Sequence, residues 1–225
     1  MAKCVFNNTI RMNATVVDEQ TMVCDSPFLD SINGDQWYNV SVTLDGDYVT
    51  NATGKFFYYR NPTLTSISPW LGPMSGDTNS TIRGTGFNQT NICDLTVRYQ
   101  TTHIAPKDVT SDSLTVLSPL ANVSDQVVVS ISGNGQQFIN DRTLHYRDLQ
   151  NTFEYYQKFI VEDISPKAAS NTGGTRLILT GMQFDQFKWD NGTQKEVVIQ
   201  CRFVDATSNS VIDVPRNMTK LSDSR

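Results

Sequence analysis

Short runs in which apolar and polar residues alternate recur along the whole chain: YNVSVTL, LTVRY, DSLTVLS, QVVVSIS, TRLILTG and EVVIQCRFV. A period of two sets alternate side chains on opposite faces of an extended segment, which suits a half-buried strand. Gly, Pro, Asn and Asp break the runs at close spacing, as turns between short strands do. Nothing sustains a helical period over a dozen residues. The pattern predicts an all-β chain built as sandwiches. Within YNVSVTL it sets Val40, Val42 and Leu44 toward a core and Asn39, Ser41 and Thr43 away from it.

One stretch is written twice. ISPWLGPMSGDTNSTIRGTGF begins at Ile67 and ISPKAASNTGGTRLILTGMQF at Ile164, 97 positions later. Without a gap, Gly76 matches Gly173, Thr78 matches Thr175, Ile82 matches Leu179, Gly84 matches Gly181 and Phe87 matches Phe184. Upstream, Tyr58 and Tyr59 match Tyr155 and Tyr156, and Leu64 matches Val161. A period of this size is one small β-domain rather than a solenoid turn. The matched proline is expected to open a domain at a strand edge, the glycines to permit a bulge or close backbone approach, and the phenylalanine to anchor a core.

The pattern I-S-P-x6-G-x-T-x5-G-x-x-F resembles the opening of an IPT/TIG domain, the immunoglobulin-like fold of plexins, related receptors and large surface proteins. VCDSP with VSVTLDGDYVTNATGKFFYY resembles the closing half of that family, and VLSP with VVVSISGNGQQFINDRTLHY a second copy of it. The resemblance covers nearly the whole chain and implies tandem immunoglobulin-like (IPT/TIG, E-set) β-sandwiches. It divides the chain into the C-terminal part of a first domain (1–60), a complete second (61–148), a connector (149–161) and the N-terminal part of a third (162–225). In this division LHYR, rather than FEYY, is the last strand of the second domain.

The cysteines follow the repeat. If KCVFN, TVRYQ and QCRFV are one strand in three copies, Cys4 and Cys24 of the first correspond to Val97 and Val116 of the second. Joint replacement by valine points to two positions that touch in a core, where a disulfide or an apolar pair fills the space. The alternative is a pair of reduced, buried thiols. Cys201 lacks a partner at the matching distance, and Cys93 has no counterpart in the repeat, so it is free, paired with Cys201, or bonded to another chain.

Composition narrows the function. Nine N-x-S/T sequons occur, at Asn7, Asn13, Asn39, Asn51, Asn79, Asn88, Asn122, Asn191 and Asn217, where roughly three or four would arise by chance. Turn-rich polar sequence raises Asn, Ser and Thr together, but a threefold excess points to the secretory pathway and to covalent N-glycans as the only added groups, with no cofactor. No apolar run reaches membrane-spanning length. A net charge of −5 without a basic cluster excludes a nucleic-acid surface. The two histidines, His103 and His145, stand in no catalytic motif, and Asp45-Gly46-Asp47 reads as a hairpin turn rather than a cation loop. No catalytic or metal-binding residue is assigned.

The resulting expectation is a non-enzymatic, N-glycosylated protein of the cell surface or extracellular space, a segment of an IPT/TIG array forming a coat, fibre or filament. The alternative is the stalk of a receptor that binds a protein ligand. Partners are then neighbouring IPT/TIG domains of the same or identical chains, with no nucleic acid and no membrane insertion by this segment. The first and third copies read as truncated, so core residues such as Phe6, Val40, Val42 and Phe56 need cover from a longer chain or from a strand donated by a neighbour.

Overall fold

The computed structural model describes residues 1–29, 35–51, 54–87, 94–139, 151–184, 200–204, 207 and 211–217. Among them every regular element is a strand. Residues 1–155 form one compact unit and residues 156–225 another.

The first unit opens with β1 (Lys3–Phe6), β2 (Ile10–Val16), β3 (Met22–Cys24), β4 (Gln36–Thr43) and β5 (Gly54–Tyr58), arranged in one sheet in the order β3-β2-β1-β4-β5. Antiparallel register pairs Phe6 with Ile10 and Val40, and Tyr38 with Phe56. The even-numbered residues therefore share one face, where Cys4, Phe6 and Ala14 are buried against Met12, Cys24, Tyr38 and Val40.

The outer face departs from simple alternation. Val5, Ser41 and Thr43 are buried although they point away from that core, whereas Leu44, beyond the end of β4, is exposed. Two interactions account for this. Arg11, cross-strand from Val5, reaches over to donate to the Gly46 carbonyl at 2.6 Å. The Thr43 hydroxyl accepts the Gly46 N–H at 2.9 Å and donates to the Asp45 carboxylate at 3.1 Å, folding the turn back onto the strand.

A complete sandwich follows. One sheet, β11-β12-β8-β6, consists of β6 (Thr63–Ser68), β8 (Asn79–Thr85), β11 (Asp108–Val109) and β12 (Ser113–Leu117). The other, β10-β9-β13-β14-β7, consists of β7 (Leu71–Pro73), β9 (Thr96–Tyr99), β10 (Thr102–Ile104), β13 (Gln126–Ser132) and β14 (Thr152–Tyr156). Between them lies a single core in which Ile67, Ile82, Leu114 and Val116 of the first sheet meet Val97, Tyr99, Val129, Ile131, Phe153 and Tyr155 of the second.

The FEYY segment is thus a strand of this sandwich, not the connector placed at 149–161. Its Phe153 and Tyr155 are fully buried, so the core itself holds the segment in the sheet, and β14 pairs with β13 from Val128↔Thr152 to Gln126↔Glu154. LHYR lies outside the described residues. The I-S-P triplet ends a strand instead of opening a domain: β6 begins at Thr63, Ile67 enters the core, and the Pro69 carbonyl accepts the buried Ser80 hydroxyl at 2.9 Å. A proline after the last paired residue stops the ladder because it has no N–H to offer.

The second unit holds the hairpin β15 (Ile160–Ser165) and β16 (Ile178–Met182), and the ribbon β17 (Gln200–Val204) and β18 (Val211–Asn217). Its hairpin reproduces β6 and β8 in detail. The register slips between Leu64 and Ser66 in one and between Val161 and Asp163 in the other. Opposite each slip, a Cβ on Gly84 would collide with the Thr63 carbonyl and one on Gly181 with the Ile160 carbonyl. The bulge brings the two backbones so close that only glycine fits.

Register also equates the two sheets of the first unit: Phe6 with Tyr99, Val40 with Val129, Val42 with Ile131, Phe56 with Phe153 and Tyr58 with Tyr155. An edge-to-face aromatic seam occurs in both. Tyr99–Phe153 and Phe153–Tyr155 stand at 5.4 and 5.0 Å, and Phe6–Phe56 and Phe56–Tyr58 at 6.1 and 5.1 Å. Their burial differs: Phe153 is 0% exposed and Phe56 40%. Truncating a buried phenylalanine costs about 3–5 kcal/mol, so Phe153→Ala should lower the urea-unfolding midpoint strongly. Phe56→Ala should lower it far less in dilute solution.

Candidate functional site

The residue types that chemistry needs are dispersed. His103 lies on β10, its ring tilted against Phe138 at 4.9 Å between centroids, and His145 is outside the described residues. Among the described residues no three His, Cys, Asp or Glu side chains are placed to hold a metal. Asp45 spends its carboxylate on the turn: it accepts the Asp47 and Tyr48 N–H groups at 2.9 and 3.0 Å and the Thr43 hydroxyl at 3.1 Å. These bonds, the one from Tyr48 foremost, hold its acidity below the usual aspartate range. Asp45-Gly46-Asp47 is an Asx-type turn.

The buried phenols are structural too. Burial pushes the Tyr155 hydroxyl up to about 12, and it donates to the Pro119 carbonyl at 2.9 Å. Tyr99 is raised by burial and then by Tyr155 beside it. Its hydroxyl lies next to Ser80, whose own proton goes to Pro69, and finds no partner in hydrogen-bonding geometry.

The sequons show more order. Asn7, Asn13, Asn39, Asn51, Asn79 and Asn122 are all exposed, while Asn88 and Asn191 and the side chain of Asn217, at the end of β18, lie outside the described residues. Strand alternation explains the exposure of Asn13 and Asn39. They stand on the outer faces of β2 and β4, out of phase with Met12, Ala14 and Val40. Asn7 occupies the β1–β2 turn with φ 48°, a conformation Asn tolerates. It exchanges two bonds with Asn39: its N–H donates to the Asn39 carbonyl at 2.8 Å, and its side-chain oxygen accepts the Asn39 N–H at 2.9 Å. Asn13 and Asn39 thus share the outer face of the first sheet, away from its aromatic face, and Asn7 meets Asn39 at the β1–β2 turn. On β8, Asn79 points outward while Ser80, the middle residue of its sequon, is buried. Sequence reasoning found the sites, but their clustering depends on cross-strand register.

Cys4 and Cys24 form a disulfide with Cα atoms 6.4 Å apart, which resolves the choice between bridge and reduced thiols. Val97 and Val116, their counterparts, are both fully buried in the second core, so the same space is filled there by apolar contact. Cys201 is a free thiol on β17, and Cys93 lies outside the described residues.

The family model of the IPT/TIG domain matches residues 62–146, from the start of β6 past β13 and ending before β14. That segment is an IPT/TIG domain. The β6–β8 pair that the match includes has a second version, with the same register slip, in β15–β16. Among solved structures, the plexin A4 full extracellular region matches at 16% identity with a TM-score of 0.36, over 80% of this chain and 24% of that one. The chain therefore spans about a quarter of the plexin chain it matches.

Two outcomes follow. The disulfide closes a loop with a sequence separation of 20, which corresponds to about 3 kcal/mol of unfolded-state entropy. Replacing both cysteines with valine should lower stability by up to that amount in denaturant titration while preserving the fold. In alkaline titration, Tyr155 ionises near 10 when unfolded and near 12 when folded. Its contribution to stability is complete below about pH 10 and is lost as the pH rises through 12. Tyrosinate absorbance and the far-ultraviolet circular dichroism signal should therefore change together in that window, and Tyr155→Phe should weaken the coupling.

Proposed function

We propose that the chain is a non-enzymatic, N-glycosylated structural or adhesive element of the cell surface or extracellular space, a segment of a tandem IPT/TIG array in a coat, fibre or filament. The observation that carries this reading is the exposure of all six described sequon asparagines. In a randomly sequon-rich β-protein some of these would fall on inward-facing strand positions. The Cys4–Cys24 disulfide supports the same compartment, because such bonds persist where thiols are oxidised. Its partners are neighbouring IPT/TIG domains of the same or identical chains. The cluster at Asn7, Asn13 and Asn39 would shield one face of the first sheet with sugar and keep that face out of contacts.

The reading is tested by expressing the chain through a secretory pathway and releasing N-glycans enzymatically in heavy-oxygen water. Each occupied asparagine becomes a labelled aspartate. Label at most of Asn7, Asn13, Asn39, Asn51, Asn79 and Asn122 is the expected result. Unlabelled peptides at all six would overturn the extracellular assignment.

A further inference from the structure

We propose that Asn134–Gly135 is a self-modifying site: its turn promotes attack of the Gly135 backbone nitrogen on the Asn134 side-chain amide, which converts the asparagine to aspartate. The proposal is independent of the extracellular reading, because Asn134-Gly135-Gln136 is not a sequon. Two other Asn-Gly pairs, Asn33–Gly34 and Asn191–Gly192, lie outside the described residues.

The same turn occurs twice in the first unit. Register equates Val42 with Ile131, so Thr43, Asp45 and Gly46 after β4 correspond to Ser132, Asn134 and Gly135 after β13. Gly46 and Gly135 both have positive φ, 97° and 72°. In the first turn one Asp45 oxygen accepts the Asp47 and Tyr48 N–H groups and the Thr43 hydroxyl. In the second, Asn134 Oδ1 accepts the Gln136 and Gln137 N–H groups at 3.0 and 3.2 Å and the Ser132 hydroxyl at 3.0 Å. An aspartate and an asparagine thus sit in equivalent cradles.

Three donors on one oxygen favour negative charge there, and the Asp45 carboxyl is accordingly held below the usual aspartate range. Attack on Asn134 develops the same charge on Oδ1. As the Gly135 nitrogen bonds to Cγ, the C=O bond opens to an oxyanion, and donors already aimed at it lower the barrier. The side-chain Nδ2 donates to Gln137 Oε1 at 2.7 Å, which keeps Oδ1 turned toward its donors.

The nucleophile differs between the two turns. The Gly46 N–H is engaged by the Thr43 hydroxyl at 2.9 Å. The Ser132 hydroxyl instead accepts the Asn134 N–H at 3.2 Å, and the Gly135 N–H makes no hydrogen bond among the described residues. An ionised carboxylate is also a poor electrophile, so the reaction belongs to Asn134 and not to Asp45.

The Gly135 nitrogen loses its proton to solvent, the oxyanion collapses, and the Cγ–Nδ2 bond breaks to release ammonia, which takes up a proton. The product is a succinimide. Asn134 is exposed, so a water molecule adds to either carbonyl of the ring and reopens it to aspartate or isoaspartate. The Asp45 turn shows that an aspartate keeps this geometry. An isoaspartate inserts an extra main-chain carbon and breaks the cradle, loosening the segment that leads to Phe138, whose ring lies under Arg98 at 4.1 Å.

The test incubates the chain in heavy-oxygen water, folded and unfolded in urea, and follows residue 134 by peptide mass spectrometry. Heavy-oxygen aspartate and isoaspartate should accumulate faster in the folded chain. One hydrogen bond of ordinary strength corresponds to about tenfold in rate, so Ser132→Ala should slow labelling of the folded chain by about that factor and leave the unfolded rate unchanged. Asn134→Asp should match the wild type in urea midpoint. Absence of label at 134, labelling no faster in the folded chain than in urea, or a folded rate indifferent to the Ser132 hydroxyl would each overturn the proposal. A large loss of stability in Asn134→Asp would overturn the equivalence of the two turns on which it stands. If Ser132→Ala misfolds, the folded and unfolded wild-type rates decide alone.

Discussion

The structure depends on an aromatic seam that needs a lid. Rings from β1 and β5 in one sheet, and from β9 and β14 in the other, stack edge to face, an arrangement that adds roughly 0.5–1.5 kcal/mol per pair beyond simple burial. That gain is modest beside the loss of water from the rings themselves, which requires the opposite sheet. Where β6 and β8 supply it, Tyr99, Phe153 and Tyr155 are excluded from solvent. In the first sheet, where among the described residues no equivalent strands lie over the seam, Phe6 is still buried and the geometry survives with part of Phe56 open to water.

Other features serve this arrangement. The bulge in each lid hairpin lets a bent strand pass close to its partner, and glycine at 84 and 181 is what permits the approach. The Cys4–Cys24 bridge ties β3 to β1 in the first sheet, while Val97 and Val116 fill the matching space in the sandwich by apolar contact. A covalent tie substitutes for core that a small sandwich lacks. Sugars, in the proposed function, occupy the reverse of the same sheet.

Much of this was legible in the sequence, and the misses share a cause. Alternation gave the all-β class, the 97-residue echo gave the domain unit, and paired replacement of Cys4 and Cys24 by Val97 and Val116 pointed to a contact that the disulfide realises. FEYY was misplaced because two strand-like runs follow β13, and only burial of Phe153 and Tyr155 decides that FEYY joins the sheet. Alternation alone sets Ser41 and Thr43 toward solvent, because period two cannot see Arg11 and the Asp45 turn folding over them. The grouping of Asn7 with Asn39 was equally hidden, since cross-strand register is set by distant residues.

Hydrogen exchange, residue by residue, on the dilute monomeric chain bears most directly on the claim that the lid completes each sandwich. Equivalent amides should separate into two classes: Val129, Phe153 and Tyr155 exchanging only through global opening, and Val40, Phe56 and Tyr58 exchanging orders of magnitude faster through local opening. Equal protection in the two sheets would contradict the account, because the seam would then be stable without its cover.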